Sequence, residues 1–562
     1  MMDIENKIDE LQELVSQYDT ESFAGSLAYF IKQRPDPFAE IDINKFESKL
    51  KDFLYLIGLN AFSEKQGTEK FELPQNNLGT IADKLNDIKG FNNTPQVEDY
   101  TKEYVIHEMA VRNHFDNGVL SYVEQDLEKL RRIFTPFEDR IIQDFGLDVN
   151  FLIEVCKEIE LISMIRRKHT MEFTHTDEFI EFTETIQTKK MEFSEAFESL
   201  PENIQDAFHS FHSKIYAHLL LKAEDLYHRF EIEKVDKFLS LFSCEPLPNA
   251  SIRYYTAESP FELAPLLKFP NGIYLSLYGK QLPISIYRLL YGHLSSDPKC
   301  DIKLRKHREK NLEHKVTDIF KYFFPKQEAF FYENYFVEKN YEQDLLIIFK
   351  GTVIIVETKA SKLREPFRDV NKAIVRLNDD FKHSIQYGFE QCKRVEDYFY
   401  EDKPFDITDE KGKILYKVNP NKVKSIYSIV VTLERFGSLQ TDLSLMLQKD
   451  DDIDYPWSIY IDDLEIFLLA LKQNIKNPVS QFLNFLNLRR EMHGRMYAID
   501  ELDVCATYLQ SPLKFKSYSE ATNTFLTFSP YEQSDFDKLY WANQLHFKEK
   551  ALPDDFYKFG LV

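Results

Sequence analysis

Two regimes of apolar spacing divide the chain. From about residue 37 to 245, apolar side chains recur every three or four positions. This predicts a helical stretch, clearest at Phe46 to Leu59, Tyr104 to Arg112, Asn117 to Phe134 and Val149 to Ile165. An amphipathic helix is predicted over residues 1–20, where Ile4, Ile8, Leu11 and Val15 share a face. Pro74, Gly79 and Gly90 mark the stretch from Leu73 to Asn93 as a loop. Between 246 and 298, prolines from Pro246 to Pro283 punctuate short apolar runs, with a short strand at Gly272 to Tyr278 and a helix at Ile284 to Leu294.

Beyond residue 340 the pattern changes. Leu345 to Phe349 and Val353 to Val356 are unbroken runs of β-branched and large apolar residues on either side of Lys350-Gly351, the mark of two buried strands joined by a tight turn. Folding about that turn places Asp344 opposite Glu357. On the outgoing strand Glu357 and Lys359 point to one face and Thr358 to the other. Two carboxylates that close repel unless positive charge neutralises them, and a hard divalent cation such as Mg²⁺ or Mn²⁺ prefers their oxygens.

Helices flank the hairpin. Upstream, residues 307–322 place Leu312, Val316, Ile319 and Phe320 on one face, and Pro325 ends the run. Downstream, Val370 to Tyr400 reads as one long helix in which Lys382, Gln386, Glu390 and Lys393 share a face. Further strands are predicted at Lys413 to Val418, Ser425 to Leu433 and Trp457 to Ile461, the last leading through Asp462 as N-cap into a helix to Leu471. From residue 476 onward the pattern is again helical.

Asp344, twelve intervening residues, then Glu357-Thr358-Lys359 on the second arm of an apolar hairpin resemble the PD-(D/E)XK (restriction-endonuclease-like) nuclease superfamily. The resemblance implies an α/β fold, an αβββαβ core embedded in a multidomain, predominantly helical chain. It also implies Mg²⁺ or Mn²⁺ held by Asp344, Glu357, the Thr358 carbonyl and Glu313 of the upstream helix, with Lys359 handling the attacking water. Some members carry a glutamine on the following helix that reaches the site. Gln386 is the candidate for that role and Gln391 its competitor, with a solvated helix face as the alternative. The implied activity is phosphodiester hydrolysis of nucleic acid, DNA favoured over RNA, and the setting suits a regulated effector such as a prokaryotic anti-phage defence nuclease. A nuclease fold kept only as a scaffold or sensor, binding nucleic acid or a protein partner, is the alternative.

Length and composition adjust this picture. The 562 residues exceed what one core organises. The expected division is a helical N-terminal region 1–245, a connector 246–300, a nuclease core 301–472 and a helical C-terminal region 473–562. The N-terminal helices are the expected surface for a protein partner or a second copy. The net charge of −23 disfavours phosphate, yet residues 301–400 carry 19 Lys and Arg against 17 Asp and Glu. Lys303, Arg305, Lys306, Arg308 and Lys310 precede the hairpin, and Lys362, Arg364, Arg368, Lys372 and Arg376 follow it. These ten, with Arg489, Arg490 and Arg495, are candidate phosphate contacts or solvated faces. Five scattered cysteines without CxxC spacing fit a reducing cytoplasm, the histidines form no HExxH or Cys/His set, and no apolar run approaches the roughly 20 residues of a membrane span.

Overall fold

The computed structural model describes residues 2–31, 42–46, 48–72, 77–89, 101–115, 121–188, 191–248, 252–337, 341–366, 370–401, 403–529 and 534–559. Contacts group the chain into two units: 1–94, 116–294 and 548–559 form the first, and 95–115, 295–547 and 560–562 the second. No helix among the described residues is long and apolar enough to cross a membrane.

The first unit is mainly helical. Helix Met2–Val15 buries Ile8, Leu11 and Val15 as its spacing predicts, while Ile4 stays exposed. The stretch read as a loop contains helix Leu78–Lys89, which buries Leu78, Ile81, Ala82, Leu85 and Ile88; its apolar period outweighs Gly79. Pro74 and Gly90 lie outside the described residues. The connector does not stand alone. Its strands Leu266–Lys268 and Ile273–Ser276 sit in the middle of a four-stranded sheet, between Ser243–Cys244 and Leu220–Lys222. Strands of two to four residues are too short to show a period of two, so the sequence marked only one of them.

The second unit is an open mixed sheet in an α/β arrangement. In chain order the elements around that sheet are α1 (Lys102–Phe115), α2 (Pro298–Phe323), β1 (Ala329–Val337), β2 (Tyr341–Phe349), β3 (Thr352–Lys359), α3 (Val370–Phe381), α4 (Tyr387–Tyr400), β4 (Phe405–Thr408), β5 (Ile414–Val418), β6 (Ser425–Thr432), β7 (Trp457–Tyr460), α5 (Ile461–Asn474) and α6 (Pro478–Arg489), with further helices at Glu501–Gln510, Pro512–Glu520 and Ser534–Trp541. The strand order is β7-β6-β3-β2-β1-β4-β5. Strands β1 to β3 are antiparallel neighbours, whereas β3, β6 and β7 run parallel.

The hairpin forms in the expected register, from Phe349 opposite Thr352 to Leu345 opposite Val356. Lys350 and Gly351 both take positive φ (48° and 84°), the two-residue turn whose twist suits paired strands. On one face Leu346, Val353 and Ile355 pack with Cys392, Val395 and Phe399 of α4. On the other, Phe324, just past α2, meets Phe331 and Phe349. The neighbouring strand β1 departs from simple alternation. Asn334 is left-handed (φ 47°), and beyond it Tyr335 and Val337 join the α4 side of the core.

Three further features differ from expectation. A π-helical turn, Lys382–Gln386, interrupts the long downstream helix. Asp462 is not an N-cap: α5 starts at Ile461, and Asp462 accepts from Lys315 Nζ at 3.2 Å and from the Tyr460 hydroxyl at 2.7 Å. The boundary at 472 does not divide the unit, because Trp457 meets Phe485 edge-on and Phe467 packs tilted against it, and Phe485 in turn meets Tyr508. Likewise α1, far away in sequence, belongs here: Ile106 and Ala110 pack with Leu377 and Leu439.

Candidate active site

The pairing between β2 and β3 stops at Leu345 and Val356, and side chains take over from there. Asp344 Oδ2 accepts from the Thr358 backbone N–H at 2.6 Å and from its hydroxyl at 2.8 Å, so the carboxylate satisfies a backbone donor the ladder leaves unpaired. Glu357 Oε1 accepts from the Asp344 N–H at 3.4 Å, and Glu357 Oε2 from Lys359 Nζ at 3.2 Å. Asp344, Glu357 and Lys359 therefore converge at the end of β3.

Glu357 is fully buried. Burial, and then the Asp344 charge, push its carboxyl up to about 8 against the opposing pull of Lys359. Glu313 on α2 feels the same field: burial first, then Asp344 and Glu342, raise it to about 7. Three carboxylates thus share one neighbourhood in which Lys359 is hydrogen-bonded to Glu357, and Asp344 Oδ1 makes no hydrogen bond among the described residues. That donor chemistry fits a hard divalent cation on Asp344 and Glu357. To that pair the resemblance adds Glu313 and the Thr358 carbonyl. No group of three or more His, Cys, Asp or Glu among the described residues is placed to hold a metal, so Glu313 stands outside the pair. The Thr358 carbonyl accepts from Lys359 Nζ at 3.0 Å and keeps a second lone pair.

Helix α4 closes over this end of the sheet. At Gly388 a Cβ would lie 2.8 Å from Val430 Cγ1 and 3.3 Å from Lys359 Cε, so the missing side chain is what lets the helix approach the lysine. A glycine inside a helical pattern is the sequence signal that could have revealed such an approach. Tyr387 adjoins it, its ring centroid 5.5 Å from Lys359 Nζ.

Gln386 is engaged elsewhere. Its amide donates to the Gln448 carbonyl at 2.9 Å and to Glu390 at 3.0 Å, and its oxygen accepts from the Gln448 N–H at 2.8 Å. Gln391, one helical turn beyond Tyr387 and Gly388, is buried, and its Oε1 has no hydrogen-bond partner among the described residues. Of the two glutamines, Gln391 is the one with a free acceptor.

Several candidate phosphate contacts are committed within the protein. Arg308 is buried and paired with Glu434, Arg305 pairs with Asp301, and Arg364 binds Asp379 and Asp380 at 2.6 Å each. Arg376 donates to the Glu365 carbonyl. Arg489 is neither a phosphate contact nor an exposed helix end: it is buried in a bidentate pair with Glu501 at 2.8 and 2.9 Å. Arg490 pairs with Asp454, and Arg495 donates to the carbonyls of Tyr518, Ser519 and Ala521. Lys303, Lys306, Lys310, Lys362 and Lys372 are exposed, and Arg368 lies outside the described residues. No family model, curated protein or solved structure matches this chain.

Proposed function

We propose that this chain is a metal-dependent nuclease with a restriction-endonuclease-like core in its second unit, hydrolysing phosphodiester bonds in nucleic acid. The observation that carries the reading is the meeting of Asp344, Glu357 and Lys359 on adjacent strands, in a fixed register, at the end of β3. Charge is costly in such an apolar hairpin, and a site for charged substrate accounts for it.

Asp344 and Glu357 would hold Mg²⁺ or Mn²⁺, which when bound neutralises phosphate charge and acidifies a water. Thr358 orients Asp344 through two hydrogen bonds to one oxygen and leaves the other oxygen available. Lys359, held by Glu357 and the Thr358 carbonyl, is positioned to hydrogen-bond the attacking water and to stabilise negative charge as it develops on phosphorus-bound oxygen. Gln391 adds an unengaged amide oxygen on the helix above. Glu313 acts through the local field that it shares with Asp344.

The test is cleavage of plasmid, linear duplex, single-stranded DNA and RNA with Mg²⁺ or Mn²⁺, wild type beside Lys359→Ala. Metal-dependent cleavage that vanishes in the variant is the expected result. Cleavage that persists in Lys359→Ala would take the activity away from this site, and a wild type that neither cleaves nor binds Mn²⁺ would replace the enzyme with a scaffold.

A further inference from the structure

Helix α4 turns Cys392 and Val395 into the core, while Tyr387, Gln391 and Arg394, spaced four and three residues apart, form a separate stripe along its flank. Tyr387 is 50% exposed beside Lys359. Arg394 lies with its guanidinium 4.4 Å from the ring of Tyr341, which is 58% exposed and sits three residues before Asp344 on β2. Neither tyrosine hydroxyl has a hydrogen-bond partner among the described residues. Two exposed rings, each beside a cation, are thus tied to the site, Tyr387 through Lys359 and Tyr341 through the strand that carries Asp344. Tyr387 and Arg394 are about 10 Å apart along the helix. Gln391, nine-tenths buried with an unpartnered oxygen, lies between them.

We propose that Tyr387 and the Arg394–Tyr341 pair are base-stacking platforms flanking the scissile phosphate, and that the substrate is single-stranded nucleic acid. The inference rests on the reading of Asp344, Glu357 and Lys359 as a phosphodiesterase site. A duplex hides its base faces, whereas an unpaired strand offers each base to an aromatic ring. Stacking also suits a chain of net charge −23, because it attracts nucleic acid without relying on a positive field. Arg394 polarises the Tyr341 ring from one side and leaves the other for a base.

The test uses the full chain in EDTA with a short single-stranded oligodeoxynucleotide carrying 2-aminopurine, its ribo counterpart and its duplex. Quenching of 2-aminopurine reports stacking. The single strand is expected to bind more tightly than the duplex and to be quenched. Tyr387→Ala and Tyr341→Ala should each weaken it by about tenfold or more, while the Phe variants at both positions retain quenching. The DNA and RNA arms decide which sugar the site prefers. Both rings are exposed, so unchanged melting of the variants checks that the fold is intact. Equal binding of duplex and single strand, no binding of either, or Ala variants that bind like wild type would overturn the proposal. The two readings fail separately. Lys359-dependent cleavage with no effect of the tyrosines leaves the nuclease and removes the platforms. Tyrosine-dependent quenching that survives in Asp344→Asn, with no cleavage in any metal, leaves the platforms and removes the nuclease.

Discussion

Thr358 gives both its backbone N–H and its hydroxyl to a single oxygen of Asp344, at 2.6 and 2.8 Å. The carboxylate is fixed by the very strand that carries Glu357 and Lys359, so any change to its charge is felt across the site. Asp344→Asn keeps an acceptor for Thr358 while removing the charge that opposes ionisation of Glu357 and Glu313. The expected outcome is abolished Mn²⁺ binding and cleavage together with a gain of about 1 kcal/mol in the metal-free protein. Titration calorimetry and thermal melting check the two halves.

Gly388→Ala inverts the usual rule. In an ordinary helix interior this change stabilises by about 1 kcal/mol. Here the new methyl meets Val430 and Lys359, and the expected result is a loss of about 1–3 kcal/mol. Cleavage at a temperature where the variant remains folded should fall further than the melting shift alone accounts for, since Lys359 is displaced.

The two glutamines separate by readout. Gln386→Ala removes both hydrogen bonds to the Gln448 backbone and should cost about 2 kcal/mol. Gln391→Leu removes a buried oxygen that has no partner among the described residues and should be neutral or stabilising, while cleavage declines. Melting curves and rates on the same preparations distinguish them.

Arg489→Ala should destabilise by about 3–5 kcal/mol, because Glu501 would be left buried with only Trp457 Nε1 donating to it at 2.7 Å among the described residues. The salt dependence of oligonucleotide binding should not change, since Arg489 does not face solvent.

His493 supplies the pH dependence. Burial first, then Arg489 and more weakly Lys449, push it down to about 4, while Asp442 opposes them. The imidazole is neutral in the fold but protonated in the unfolded chain below 6.5. The stability it contributes is therefore complete above pH 6.5 and declines as pH falls from there towards 4, by on the order of 3 kcal/mol. Melting across that window should show a shallower acid slope in His493→Gln.

The hairpin and its carboxylates are legible in the sequence because long apolar runs, a Lys-Gly turn and misplaced charge all point to one register. Other features are hidden for identifiable reasons. The π turn at Lys382–Gln386 adds a residue to the helical repeat, so a face drawn forward from Val370 is rotated by the time it reaches α4. Sequence spacing therefore favours Gln386 over Gln391, whereas in the fold Gln386 is bonded to Gln448 and Gln391 keeps an open acceptor. Left-handed Asn334 breaks the alternation that would mark β1. The arginines near residue 490 read as exposed because spacing does not reveal a partner such as Glu501, which only the fold brings alongside.

The packing of Ile106 and Ala110 against Leu377 and Leu439 has a consequence for synthesis. On the ribosome α1 emerges long before the strands and helices that will cover it, and the second unit cannot close its core until most of the chain has been made. A helix whose few apolar contacts, Ile106 and Ala110, are left waiting in this way is a natural client for a chaperone. A polypeptide begun at residue 295 would lack it altogether, so the smallest piece with an intact second unit has to be assembled from two separate lengths of chain.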